Sequence, residues 1–264
     1  MLPPTVYLLK AFSDNYIWCL QQGQQLLVID PGCAAPVEKF IADSGCTLHS
    51  ILLTHAHADH SAGIEALYTA FPETLISAAR NSPLQLPCER RQHLDTFQPW
   101  PGLTIQSIAT PGHTQDHLCY YLPTLATAFT GDALFSAGCG RLFEGDAQDL
   151  LLSMQRCRAL PEETQVYCAH EYTMKNLEFA LSLWPENLDI QEYKQIVTKR
   201  LKWQQSSLPS TIRAEKQINP FFNWDNPAFY ASLSEKTHHD LTEAVSYMHV
   251  VRALRDVFSP PCVP

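Results

Sequence analysis

The sequence predicts an α+β protein of two domains, mixed strand and helix over 1–172 and helical over 173–264. Three observations carry that expectation. Short apolar runs bounded by turn residues recur through the first two-thirds and read as strands. After Tyr172 no further strand is convincing, and 177–184, 190–203, 228–233 and 240–258 all have helical periodicity between proline-containing breaks. One buried run, Ile51-Leu52-Leu53, ends directly against the polar cluster Thr54-His55-Ala56-His57-Ala58-Asp59-His60, which gives the first domain a chemical focus.

In chain order, Val6-Tyr7-Leu8-Leu9, Ile17-Trp18-Cys19-Leu20 and Leu26-Leu27-Val28-Ile29 form a meander joined at Asp14-Asn15 and Gln22-Gly23. Asp30-Pro31-Gly32 closes the third strand, and 36–43 is a short helix stopped by Gly45. The strand 51–54 leads through the polar cluster into an amphipathic helix reaching Phe71. Strand 75–77 comes next, then a poorly patterned stretch to Pro101. Strands at 104–108, 118–122, 126–130 and 165–168 complete the set, with a helix over 147–160 between the last two. There is no internal repeat and no low-complexity segment.

Side chains two apart in extended backbone point the same way, so His55 and His57 can grip one ion together. Asp59 and His60 fall on the turn beyond, where they can face a second ion, although Asp59 also suits a helix N-cap. Three further strand ends each offer one donor: His113 after Thr110-Pro111-Gly112, Asp132 after Gly131, and His170 after Cys168-Ala169. Each alone is an ordinary turn residue. Together they describe seven donors at one rim of a sheet. Imidazole and carboxylate without thiolate suit zinc, iron or manganese at a catalytic site with open positions. Two such ions would activate a shared water and polarise a carbonyl, which points to a hydrolase.

Composition narrows the partners. Hydrophobic residues make up 45% and charged residues 17%, as in a globular chain. A net charge of -9 argues against nucleic acid, and no apolar run is long enough to span a bilayer. No signal peptide is legible in Met1-Leu2-Pro3-Pro4-Thr5-Val6, and nine cysteines without a C-x-x-C pair predict free thiols and a cytoplasmic protein.

The motif T-H-x-H-x-D-H at 54–60 resembles the metallo-β-lactamase superfamily, and within it the glyoxalase II hydroxyacylglutathione hydrolases. Asp14-Asn15-Tyr16, Gly131-Asp132-Ala133-Leu134-Phe135, Ala137-Gly138-Cys139-Gly140-Arg141, Phe143-Glu144-Gly145 and His170-Glu171-Tyr172-Thr173 support the resemblance, as does the helical last third. It implies a four-layer αββα sandwich carrying a C-terminal helical, glutathione-binding domain. It further implies two divalent ions, zinc foremost with iron and manganese accepted. One ion takes His55, His57 and His113, the other Asp59, His60 and His170, and Asp132 bridges them.

The implied activity is hydrolysis of S-D-lactoylglutathione and related 2-hydroxyacyl thioesters to D-lactate and glutathione, in methylglyoxal detoxification. Asp59 and Asp132 are the catalytic carboxylates, and the protein is a monomer with a small-molecule glutathione thioester as partner. Arg252 and Arg255, three apart on one helix face, match the family's R-x-x-K pair with arginine for lysine; without the resemblance they read as a solvated face. Arg141 and Phe143 stand where some members have lysine and tyrosine, and Tyr172 and Asn176 match the other glutathione contacts. His117 is expected to support the site rather than bind an ion. His49, His93, His238, His239 and His249 are assigned no role, and Cys139 is placed in a loop beside the site. The rival within the superfamily is a mononuclear-iron persulfide dioxygenase, against which the second set Asp59, His60 and His170 speaks. A β-lactamase, a ribonuclease and a non-enzymatic scaffold are weaker readings.

Overall fold

The structure, a computed structural model, describes residues 3–203, 205–237 and 243–259, so His238, His239 and the start of the helix expected from 240 lie outside the described residues. The chain packs into two compact units. The first comprises Met1–Ala109, Asp116–Gly131 and Tyr167–His170, and the second Thr110–Gln115, Asp132–Val166 and Glu171–Pro264.

The first unit is built on a six-stranded sheet in sequence order. It contains β1 (Thr5–Ala11), β2 (Asn15–Gln22), β3 (Gln25–Ile29), β4 (Thr47–Leu52), β5 (Leu75–Ala79) and β6 (Glu89–Arg91). β1 to β3 pair antiparallel, while β3 to β6 pair parallel. Parallel neighbours need a crossover. Helix α1 (Ala34–Ser44) supplies it between β3 and β4, and α2 (Ala58–Ser61) with α3 (Ile64–Ala70) between β4 and β5. A second sheet holds β7 (Thr96–Phe97), β8 (Ile105–Ala109), β9 (Leu118–Leu122) and β10 (Thr127–Gly131), flanked by the end of the strand Gln165–Cys168.

Side-chain alternation sorts the layers. Ile17 and Cys19 of β2 join Val28, Val37, Ile51 and Leu67 in the core under the helices. Trp18 points to the opposite face, where its indole donates to the Cys168 carbonyl at 2.9 Å and its ring meets Tyr167 edge-on. Tyr120 of β9 donates to the Leu53 carbonyl at 2.8 Å. A strand covered on both faces reads as a continuous apolar run, as β2 does.

The second unit holds the hairpin of β11 (Leu134–Phe135) and β12 (Gly138–Cys139), then α4 (Ala147–Arg158) behind an Asp146 capping box. Helices α5 (Thr173–Leu183), α6 (Leu188–Lys202), α7 (Ile212–Ile218), α8 (Pro227–Thr237) and α9 (Ala244–Val257) complete it. Ala137, Leu177, Ala180, Ile190, Val197 and Ile218 form a core of this unit. No helix among the described residues is long and apolar enough to cross a membrane.

Several elements correct the expectations. The helix running to Phe71 is broken into α2 and α3, because the Gly63 N–H turns to the Pro31 carbonyl at 2.9 Å. The stretch before Pro101 contains β6 and β7. The helical third contains a strand, Ser210–Thr211, paired with Gln165 and Val166. Helix α7 escapes the periodicity: its buried positions are Ile212, Glu215 and Ile218, so a carboxylate interrupts the apolar stripe.

Candidate metal centre

The strand β4 stops at Leu52, and the backbone beyond it is anchored rather than extended. Parallel pairing sets Ile29 opposite Leu52, which brings Asp30, at φ 52, alongside Thr54. The buried Asp30 carboxylate accepts from the Thr54 N–H at 2.7 Å, the Thr54 hydroxyl at 2.6 Å and His60 Nδ1 at 3.0 Å. A carboxylate can only accept, so His60 carries its proton on Nδ1 and turns Nε2 away from Asp30. The left-handed backbone of a non-glycine residue here is strain held at a functional position.

Asp59 and His60 lie in the first turn of α2, whose N-cap is His57 and not Asp59. A Cβ on Gly32 would come within 1.8 Å of the Asp59 carbonyl oxygen, so the 30–33 turn can lie against the start of α2 only with glycine at 32. His170 lies just past the strand Gln165–Cys168 and bridges to Asn15 at the start of β2. Its Nδ1 donates to Asp14 at 2.8 Å, which leaves Nε2 facing Asp59 Oδ2 at 3.4 Å. Asn15 donates to the same oxygen at 2.9 Å, and His60 Nε2 stands 3.6 Å from it. The hydrogen bond with His170 holds the Asp59 carboxyl well below the usual carboxylate range; burial opposes it and the Asn15 amide adds to it.

His55 and His57 do converge, Nε2 to Nδ1 at 3.1 Å, though from irregular backbone beyond the strand rather than from extended strand geometry. His55 is buried, its Nδ1 3.1 Å from the Thr54 hydroxyl and its ring stacked on His117. The His117 ring thus packs against His55.

In the second unit, His113 Nδ1 donates to the Arg141 carbonyl at 2.8 Å, and its Nε2 lies 3.4 Å from Asp132 Oδ2. A Cβ on Gly140 would sit 2.0 Å from the Asp132 carbonyl oxygen and 3.0 Å from His113 Nδ1, so glycine is required there too. Phe143 is exposed, with its ring edge-on to His113.

The residues expected to hold glutathione gather in this unit. Arg252 is 6% exposed, which overturns the solvated-face reading. Its Nη1 donates to the carbonyls of Cys139 and Gly140 at 3.2 and 3.3 Å, and its Nη2 to Asp256 at 2.9 Å. Arg255 donates to Asn176 Oδ1 at 3.1 Å, and the Asn176 amide donates to the Ser136 carbonyl at 3.1 Å. Tyr172 is half-buried, edge-on to Phe135. Cys139 is in strand β12 and not in a loop; burial raises its thiol pKa, against the pull of Arg252. His49 packs on Trp100, His93 accepts from the Ala109 N–H, and His249 is exposed.

Sequence reasoning assigns Asp14 and Asp30 no role, since each reads as a turn residue. Asp30 signals itself only by position, immediately beside a strand terminus, and Asp14 by the same position and by belonging to the Asp14-Asn15-Tyr16 segment.

The donor atoms of Asp59, His60 and His170 lie within 4.8 Å of one another, one oxygen and two nitrogens, a set that fits a divalent ion such as zinc or iron. Asp30, His55 and His60 satisfy the same distance, but Asp30 is committed to three donors and acts as the holder of His60.

The metallo-beta-lactamase superfamily pattern matches residues 12–170, and the hydroxyacylglutathione hydrolase C-terminus matches residues 171–258. A two-sheet sandwich bearing this rim of histidine and aspartate therefore defines a metal-binding protein of the metallo-beta-lactamase type. The hydroxyacylglutathione hydrolase of Psychromonas ingrahamii is 40% identical over 256 residues, covering 96% of this chain and 99% of its own. That of Pseudoalteromonas translucida is 44% identical over 226 residues, 83% and 85% of the two chains. The crystal structure of ETHE1 from Myxococcus xanthus superposes with a TM-score of 0.63 at 24% identity, covering 96% and 99%, and shares the fold. The chain belongs to the hydroxyacylglutathione hydrolase family.

Proposed function

We propose that this chain hydrolyses the thioester of S-D-lactoylglutathione and related S-2-hydroxyacylglutathiones, yielding glutathione and the 2-hydroxy acid, in the cytoplasm and as a monomer. The observation that carries this reading is the pairing of both family patterns, end to end, with relatives about 40% identical over nearly the whole chain. Residues 1–172 form the catalytic domain and 173–264 the helical domain that binds glutathione.

For the ligands we carry over the family's assignment: His55, His57 and His113 for one ion, Asp59, His60 and His170 for the other, and Asp132 between them. Two divalent ions, zinc first, would supply the acidity that activates water and polarises the thioester carbonyl. The protein's own part is direction and charge. Asp30, Asp14 and the Arg141 carbonyl each hold an Nδ1 proton, so that three imidazoles present Nε2. Asp59, kept ionised by His170 and Asn15, is a carboxylate able to accept a hydrogen bond from the attacking water and so orient it. A thiolate leaves readily, so no strong general acid is required. Arg141, Arg252, Arg255, Tyr172, Asn176 and the backbone near Phe143 bind glutathione.

The test is hydrolysis of S-D-lactoylglutathione, followed by loss of thioester absorbance, beside a metal count on the same preparation. Turnover with about two ions per chain, abolished by chelation, is the expected result. Two ions without turnover would remove the substrate, and one iron with oxygen uptake on glutathione persulfide would move the chain to the dioxygenases.

A further inference from the structure

Two guanidinium groups in the second unit converge on a single carboxylate, and a third lies close enough to feel them. Asp256 Oδ1 accepts from Arg252 Nη2 at 2.9 Å and lies 3.3 Å from Arg141 Nε. Arg255, among the described residues, is paired with the neutral Asn176 amide oxygen and not with an acid. Three positive charges against one leave a net excess of two in a chain whose total charge is -9. The crowding is felt: burial lowers the Arg255 pKa, and Arg252 lowers it further.

The two contacts of Asp256 differ in kind. The one with Arg252 is anchored, because that side chain is buried and fixed by two backbone carbonyls. The one with Arg141 is open to solvent, with side-chain exposures of 59% and 37%, and such pairs are weak and readily exchanged. Arg141 is therefore the cation of the cluster that a ligand can claim, and Asp256 is what it must be claimed from.

We propose that Asp256 is a specificity-determining residue that stands in for a substrate carboxylate on Arg141, so that glutathione exchanges one ion pair for another when it binds. The exchange caps affinity. Substrate and product carry the same glutathione carboxylates, so a site that gripped them with three unopposed arginines would retain its product. This inference rests on the glutathione thioester reading above.

The experiment uses the full-length, metal-loaded enzyme and Asp256→Asn, whose amide oxygen can still accept from Arg252. KM for S-D-lactoylglutathione and the inhibition constant of free glutathione are expected to fall together, roughly two- to fivefold, the scale of one exchanged surface ion pair. kcat/KM for S-lactoyl-N-acetylcysteamine, a thioester with no carboxylate to offer, is expected to stay at the wild-type value. Asp256→Glu, which keeps the charge, should restore both glutathione constants. Unchanged or raised KM and inhibition constants in Asp256→Asn overturn the proposal and leave the hydrolase intact. A wild-type enzyme that neither cleaves the thioester nor binds glutathione overturns both, and that is seen before any variant is made.

Discussion

In the histidine rim of the first unit, His60 and His170 are each tied to an acidic acceptor; in the arginine cluster of the second, two cations share one carboxylate and a third rests on a neutral amide. The rim is arranged for direction. Pinning Nδ1–H to Asp30 or Asp14 fixes the ring and aims the Nε2 lone pair, the way metal-binding histidines are usually oriented. The cluster is arranged for charge. Only Arg252 is fully fixed, and the surplus of positive charge is left for a ligand to neutralise. Binding an ion demands few degrees of freedom, whereas binding and releasing an organic anion demands a balance that can be tipped.

The hardest blow to metal binding is Asp132→Ala. If Asp132 is the bridging carboxylate, turnover falls on the order of a thousandfold or more and the bound metal drops below two ions per chain. Steady-state kinetics beside elemental analysis would check it. A variant that kept both ions and full rate would end the bridging assignment.

Next in size is Asp30→Asn. The amide keeps the shape but turns a donor toward Thr54 or His60, where only acceptors are wanted. An unsatisfied buried donor costs about 1–3 kcal/mol, and metal affinity should fall roughly 10–100-fold. Thermal unfolding and competitive chelator titration read the two effects. Asp14→Asn should be milder, since Asp14 is 35% exposed and water can replace part of what it offers.

How much of this is legible in the sequence depends on distance along the chain. His55, His57, Asp59 and His60 fall within six positions, so their common purpose shows without a fold. Asp30 meets Thr54 across 24 residues and Asp14 meets His170 across 156, and at such separations a lone carboxylate looks like any turn residue. The strands β1–β5 and β8–β10 are recognisable because apolar runs end in turn residues. The short strands β6, β7, β11 and β12 are not, because two- and three-residue strands are made by their partners rather than by propensity. Helix α7 is hidden by Glu215, a buried carboxylate accepting from the Ala137 N–H at 2.8 Å. The arginine pair is legible as a pair; that Arg252 is buried and bonded to the β12 backbone is not, since helical spacing places residues on a face but does not say what covers it.

The arginine cluster gives a smaller and divided effect. Arg255→Ala should raise KM for the glutathione thioester about tenfold with kcat little changed, since it removes binding common to ground and transition states. Arg252→Ala should raise KM as well and also lower stability by about 1–3 kcal/mol, because two carbonyls and Asp256 lose a buried donor. Urea unfolding separates the two variants. Equal loss of stability in both would mean that Arg252 is not the fixed member of the set.

The smallest effect is a pH dependence in the chelated protein. Asp59 has its folded pKa depressed, first by the hydrogen bond with His170. An unfolded aspartate takes up its proton near pH ~3.9. Above that pH the contribution of Asp59 to stability is complete. Below it the unfolded chain binds a proton that folded Asp59 still refuses, so stability drains away as pH falls toward the folded value. Because the side chain is 43% exposed, solvent screens the interaction and the slope is shallow. Comparing urea midpoints of the wild type and Asp59→Asn from about pH 5 down to about pH 3 cancels the other titrating groups. The wild type should lose stability faster than the variant across that window. Parallel curves would mean that the hydrogen bonds of Asp59 to His170 and Asn15 form only around an ion, and that the rim is organised by its metal rather than for it.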